Sequence, residues 1–180
     1  MKKIMFSDKY GLTDAVLEGR KTMTRRIVTL NAPVPTYKIG EEVAIAQKYR
    51  DLCNCNAFYD ALHKADPTFP LECIKDEKGC NNKMFVKAEW MPHRIRIIDV
   101  KTERVQDISE DDCLREGLLT SYQEFRAYGF SLPSGAKMSF PTPRIAFAAL
   151  FDRICGRGTW FRNPWVFAYE FELIWHICIK

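Results

Sequence analysis

The chain has 180 residues, 47% of them apolar and 28% charged, which is enough for one globular domain with a sizeable core. A net charge of +4 and a pI near 8.6 fall short of the strongly basic footprint of a dedicated duplex-DNA binder, so any nucleic-acid role must be local. The apolar stretch after Met1-Lys2-Lys3 is too short for a signal peptide and no later run reaches membrane-spanning length, so a cytoplasmic protein without a membrane partner is expected.

The elements follow in chain order. Lys3 to Phe6 reads as a first strand. Leu12, Ala15 and Val16 share one face of a helix running to Glu18, and Gly19 is suited to the left-handed turn that ends it. Thr22 to Thr29 follows as an extended segment, and Pro33 and Pro35 mark a loop. Val43, Ile45 and Gln47 then alternate with Ala44 and Ala46, as in a strand covered on both faces. From 50 to 82 the periodicity weakens, and this stretch is read as an insertion or irregular excursion within a single domain spanning 1–180.

The segment Arg94 to Val105 has the clearest strand pattern, with a change of phase that predicts a bulge near Ile97 and Ile98. Ser109 caps a short helix with Asp111 and Asp112 in its first turn, closed by Gly117 after Glu116. A polar loop passes through Ser134 and Gly135, and here Phe130, Leu132, Met138 and Phe140 are apolar residues in want of an explanation. Thr142-Pro143 opens a third helix with a stripe of Phe147, Leu150, Phe151 and Ile154, stopped by Gly156. Last comes a strand in which Trp165, Phe167, Tyr169, Phe171 and Leu173 form one strongly apolar face, expected to be core. The sum is an α+β protein, a small mixed β-barrel with short helices packed on it.

Seven cysteines, an odd number, argue for reduced thiols. Cys53, Cys55, Cys73 and Cys80 cluster in sequence with His63 among them, but as C-x-C, seventeen residues, then C-x6-C, without the tight C-x-x-C knuckles of structural zinc sites. Free cysteines, no metal and no cofactor are expected. Cys113, Cys155 and Cys178 read as small buried hydrophobes.

The run from Gly19 to Arg26 places four cations and two hydroxyls at the exit of the first helix. The helix dipole alone accounts for Arg20 and Lys21; an anionic or acyl-bearing ligand accounts for the run equally well. Lys21 and Thr24 lie three apart in an extended segment and need a bend or bulge to share a pocket.

Four stretches together resemble the ASCH domain family of the PUA-like superfamily, in the form found in gut bacteria and their phages. They are Val16 to Arg26, Met91 to Ile97, Glu103 to Asp112 and Asn163 to Phe171. The resemblance implies a PUA-like barrel with a cleft beside the first helix for RNA or a modified nucleoside. Some relatives remove acetyl from the exocyclic nitrogen of acetylated cytidine with a lysine, a threonine and a glutamate, which align with Lys21, Thr24 and Glu116.

In such an enzyme Thr24 is the nucleophile, Lys21 the base once burial lowers its pKa, and Glu116 the acid for the departing nitrogen. In a binder, Arg20, Lys21, Thr22, Arg25, Arg26, His93 and Arg94 line the cleft, and Tyr49, Trp90 or Trp160 stacks on an unpaired base. Ionic pairing of Glu116 with Lys21 or Arg26, merely anchoring the helix, is the alternative to catalysis. A protein-interaction adaptor is the third reading, resting on the apolar loop residues.

Overall fold

The computed structural model describes residues 1–121 and 127–174. In chain order the regular elements are β1 (Lys3–Ile4), α1 (Leu12–Leu17), β2 (Met23–Ile27), β3 (Glu42–Ile45), α2 (Asn56–Ala65), β4 (Arg94–Arg104), α3 (Glu110–Arg115), β5 (Leu119–Ser121), β6 (Ala127–Ser131), β7 (Lys137–Phe140), α4 (Pro143–Cys155) and β8 (Trp165–Ile174), with several 3-10 turns between them. The class is α+β, as expected. Among the described residues no sheet closes into a barrel. Two compact units divide the chain: one holds Met1–Phe6, Gly40–Arg96 and Leu173–Lys180, the other Ser7–Ile39 and Ile97–Glu172.

In the first unit β1 runs parallel to β3, with Ile4 opposite Ile45, and β3 pairs antiparallel with the start of β4, Val43 opposite Ile95. Val43, Ala44, Ile45 and Ala46 are all fully buried, so this strand is covered on both faces, as its unbroken apolar run requires. The stretch from 50 to 82 is more ordered than its sequence indicates. It contains α2, whose Phe58 and Leu62, one turn apart, are buried in a cluster with Tyr49, Leu52, Ile74, Val86, Trp90 and Met91. Gly79 allows this packing, because a Cβ there would come within 2.4 Å of the Tyr49 ring.

In the second unit β2 pairs antiparallel with β8, Thr24 opposite Tyr169 and Arg25 opposite Ala168. The later part of β4 belongs to the same unit, next to β8 in strand order. Val166, Phe167, Ala168 and Tyr169 are all buried, so β8 is covered on both faces at its centre, whereas the alternation predicted one apolar face. Trp165 is a second departure from that reading: it is 48% exposed, with the Arg104 guanidinium 4.4 Å from its ring centre.

Both helix caps read from sequence are present. Ser109 accepts a hydrogen bond from the Asp112 amide at 3.1 Å, and Thr142 accepts one from Ile145 at 3.2 Å ahead of Pro143. Three of the apolar residues expected in a loop, Phe130, Met138 and Phe140, lie instead on β6 and β7, an antiparallel pair with Phe130 opposite Met138, and the half-buried Leu132 directly follows β6. Phe130 is buried, edge-on to Tyr10, and α4 packs on both strands. Their hydrophobicity therefore has a packing explanation, and it no longer speaks for an adaptor.

Candidate functional site

The site begins where α1 stops. The Glu18 amide still bonds back to Asp14, Gly19 turns the chain at φ 74°, and the Lys21 amide returns to the Ala15 carbonyl at 2.8 Å. The Thr22 amide then donates to the Arg115 carbonyl at 2.9 Å, which ties this segment to the end of α3 before β2 begins. The lysine backbone is thus held beside the helix end that carries Glu116.

Lys21 is 2% exposed and Glu116 5%. The Lys21 ammonium donates to the Glu116 carboxylate at 2.6 Å and to the backbone carbonyl of the same residue at 2.8 Å. The other carboxylate oxygen of Glu116 accepts from Arg25 at 3.2 Å. Arg25, fully buried in β2, spends its remaining donors on Glu103 at 2.8 Å and Asp112 at 2.8 Å. Lys101 closes the outer edge, 3.2 Å from Glu103 and 3.3 Å from Asp112. Four cations, Lys21, Arg25, Lys101 and Arg115, therefore face three carboxylates, Glu103, Asp112 and Glu116, with Arg115 3.5 Å from Asp112.

Burial governs the lysine. Removal from water pushes the Lys21 pKa down, and the neighbouring Arg26 and Arg25 push the same way; attraction to Glu116 opposes them without reversing the direction. At Arg25 burial also disfavours the charge, but Glu116, Asp112 and Glu103 outweigh it and the pKa rises. For Asp112 desolvation works upward, while hydrogen bonds and charge from Arg25 and Lys101 prevail and hold its pKa below the usual carboxylate value. A network of this kind is a poor stabilising device, since desolvation consumes most of its Coulomb gain. Its perturbed lysine is the kind of group that serves acid–base or ligand chemistry.

Not every residue read from the sequence meets here. Thr24 is buried, but the pleat sends it and Arg25 to opposite faces of β2, and among the described residues no hydrogen bond joins it to Lys21 or Glu116. Thr22 uses its hydroxyl to accept from Arg115 at 3.1 Å. Arg20 is a surface residue paired with Glu18 at 2.7 Å, and Arg26 is half-buried on the Thr24 side of the strand. Arg25 has its donors turned to carboxylates, not to solvent.

His93 and Arg94 belong to the first unit, where the His93 ring is 2.6 Å from the Gln47 side chain. Of the aromatics considered for stacking, Tyr49 and Trp90 are core residues of that unit with no free face. Trp160 is half-buried, packed edge-on against Phe147, while Phe161 beside it is 88% exposed.

The sequence reading gave no site role to Lys101 or Glu103, although Glu103 opens one of the stretches that carry the resemblance, and it gave Asp112 only a role at the helix dipole. One signal was available: Lys21 and Arg25 share parity along an extended segment, so both can reach one carboxylate. Among the described residues no three His, Cys, Asp or Glu side chains are grouped to hold a metal ion, and Cys53 and Cys73 are exposed free thiols. Cys113 is buried, Cys155 is half-buried, and Cys178 lies outside the described residues. No described helix is long and apolar enough to cross a membrane.

Comparison with protein-family models, with curated proteins and with solved structures gives no match.

Proposed function

We propose that the chain is an ASCH-type, PUA-like cytoplasmic protein whose Lys21–Glu116 pair forms the ligand-reading edge of a site for a modified nucleoside, free or within RNA. The observation that carries this is the 2.6 Å contact between two nearly inaccessible charges that the sequence resemblance singles out independently. A buried ammonium beside a buried carboxylate offers a donor and an acceptor side by side once their 2.6 Å contact opens to admit a ligand. That is the pattern needed by the edge of a cytosine-like base, whose exocyclic N–H gives a hydrogen bond while its ring nitrogen or carbonyl accepts one. Arg25 braces the carboxylate and Gly117 allows the lysine to approach, so both groups are in place before a ligand arrives.

The test is equilibrium binding of acetylated cytidine against cytidine dimethylated on its exocyclic nitrogen, which has no N–H to give. The proposal expects the dimethylated compound to bind at least about tenfold more weakly, the loss of one hydrogen bond to a charged acceptor. Equal binding of the two, or binding of neither, would refute it.

A second reading, hydrolysis of the acyl amide, is favoured by the lowered pKa of Lys21. In that reaction β2 must first shift to bring the Thr24 hydroxyl, which lies on the opposite face, to Lys21; the hydroxyl then gives its proton to neutral Lys21 as its oxygen bonds to the acyl carbon. The proton crosses the short contact to Glu116 and passes to the exocyclic nitrogen as the C–N bond breaks, and water then cleaves the resulting ester. Release of cytidine and acetate, abolished by Thr24→Val with the fold intact, supports hydrolysis; binding without release leaves the first reading alone.

A further inference from the structure

The turn between α4 and β8 holds two aromatic rings out to solvent, and nothing in the nucleoside reading uses them. Phe161 is 88% exposed and Trp165, at the start of β8, 48%. The backbone that carries them is closely braced. Asp152 accepts from the Gly158 amide at 2.9 Å and from the Trp160 amide at 2.6 Å. The Arg162 amide returns to the Gly158 carbonyl at 3.2 Å, and the Asn163 amide to that of Trp160 at 3.0 Å. Asn163 stands at φ 47°, and its side-chain oxygen accepts from the Gln106 amide at 3.0 Å, while the Gln106 side chain donates to the Trp160 carbonyl at 2.8 Å. A turn braced in this way that points two rings outward gains little from them in its own fold.

Arginines surround the rings. The Arg104 guanidinium lies 4.4 Å from the Trp165 ring centre and donates to the Asn163 carbonyl at 3.1 Å. That of Arg144 lies 5.5 Å from the Trp160 ring centre, and Arg157 and Arg162 are exposed within the turn itself. Of the carboxylates on the same segments, Asp152 is spent on the two amides, Glu103 faces Arg25 and Lys101, and Asp107 stands exposed.

We propose that this surface, all of it within the second unit, binds single-stranded RNA, with Phe161 and Trp165 as stacking platforms for unpaired bases and the arginines as partners of the phosphates. The alternation of ring and cation decides the partner. Arg162, Asn163 and Pro164 separate the two aromatics, which suits the base-and-phosphate repeat of one strand, whereas a membrane surface asks for a continuous apolar face. A duplex keeps its base faces stacked away from such rings. The choice of RNA over DNA rests on the nucleoside reading of Lys21 and Glu116; the stacking and charge do not.

The experiment is fluorescence anisotropy of the whole chain with end-labelled oligoadenylate of about twelve nucleotides, a probe that contains no cytidine. The expected result is saturable binding that weakens with added salt, with the oligoadenylate–oligouridylate duplex weaker and the deoxyadenylate strand no tighter. Phe161→Ala and Trp165→Ala, each checked for native folding by its thermal transition, should weaken binding at least about fivefold, and Phe161→Tyr should retain it. No saturable binding of the single strand, equal binding of the duplex, tighter binding of the deoxy strand or unchanged affinity in Phe161→Ala would each overturn the proposal. So would sedimentation with phosphatidylserine vesicles that is lost in Phe161→Ala, which would assign the rings to a membrane. Acetylated cytidine should bind Phe161→Ala as it binds the wild type, and oligoadenylate binding is read whether or not that nucleoside binds, so failure at one site is distinguishable from failure at the other.

Discussion

Gly117 lies so near Lys21 that a Cβ at position 117 would come within 3.1 Å of the lysine Cβ, and within 3.2 Å of that of Ala15. The same glycine sits at φ 96°, where L side chains are strained. Glycine here therefore does two things: it ends the α3 turn and lets the lysine stem lie flat against it, which brings the ammonium to Glu116. Gly117→Ala is expected to lower stability by about 1–3 kcal/mol. Urea unfolding measures this directly. An unchanged midpoint would mean that the segment around Lys21 moves aside at no cost.

Removing one member of the buried pair should cost more than removing both. Lys21→Met leaves a carboxylate nearly out of reach of water with Arg25 as its remaining cation, and a loss of about 3–5 kcal/mol is expected. Lys21→Met combined with Glu116→Gln should recover part of that loss, by about 0.5–3 kcal/mol of coupling. The check is a double-mutant cycle by chemical denaturation. Simple additivity would show that the contact is energetically idle.

Acid should act on this site through Asp112. Its pKa in the folded chain is held below the ordinary 3.8, against the upward pull of desolvation, by Arg25 and Lys101. The carboxylate is thus bound more tightly by the folded state, so its contribution is present at neutral pH and is lost as the pH falls below about 3.8 through the folded value. Asp112→Asn should flatten that part of the stability curve. Lys21 acts in the same sense at higher pH: its pKa is lowered from 10.5, so the folded state holds the proton less well, and its contribution to stability rises as pH climbs toward 10.5. Unfolding midpoints of the wild type and Lys21→Met from pH 7 to 10.5 should therefore diverge in favour of the wild type.

The thiols should divide by burial. Cys113 is inaccessible, and burial pushes its pKa up to about 12, so at neutral pH its thiolate fraction lies roughly a thousandfold below that of an ordinary cysteine. Cys53 and Cys73 are exposed. Alkylation followed by peptide mass mapping should label those two within minutes and leave Cys113 unmodified in the native chain. Equal labelling would mean that α3 opens readily, and with it the Glu116 end of the site.

Local features were the legible ones. Ser109, Thr142-Pro143, Gly19 and Gly156 each act through bonds or backbone preferences within a few residues, and each sits where its chemistry predicts. Helix α2 was hidden because Phe58 and Leu62 are a single apolar pair among prolines and cysteines, and its stability comes from Tyr49 and Trp90 packing beside it. Phe130 and Phe140 looked like loop residues because the turn at Ser134-Gly135 separates two very short strands; α4 and Tyr10 explain the burial of Phe130, and Phe140 is half-buried, stacked on it. At the site, the resemblance pointed to Lys21 and Glu116, which do meet. The bracing by Arg25, Glu103 and Asp112 joins residues 78 and 87 positions apart, and no local pattern encodes such a distance. Thr24 shows the limit of spacing arguments: one residue of offset along a strand reverses the face.

The central claim is that Glu116 reads a ligand hydrogen while Lys21 supplies one. Calorimetric titration of acetylated cytidine into the wild type and into Glu116→Leu, whose fold is verified by its unfolding transition, tests it most directly. The account predicts saturable binding in the wild type and a loss of at least about tenfold in the variant, the equivalent of about 1.4 kcal/mol or more. Undiminished affinity in Glu116→Leu would contradict it, since the ligand would then be held by some other part of the molecule.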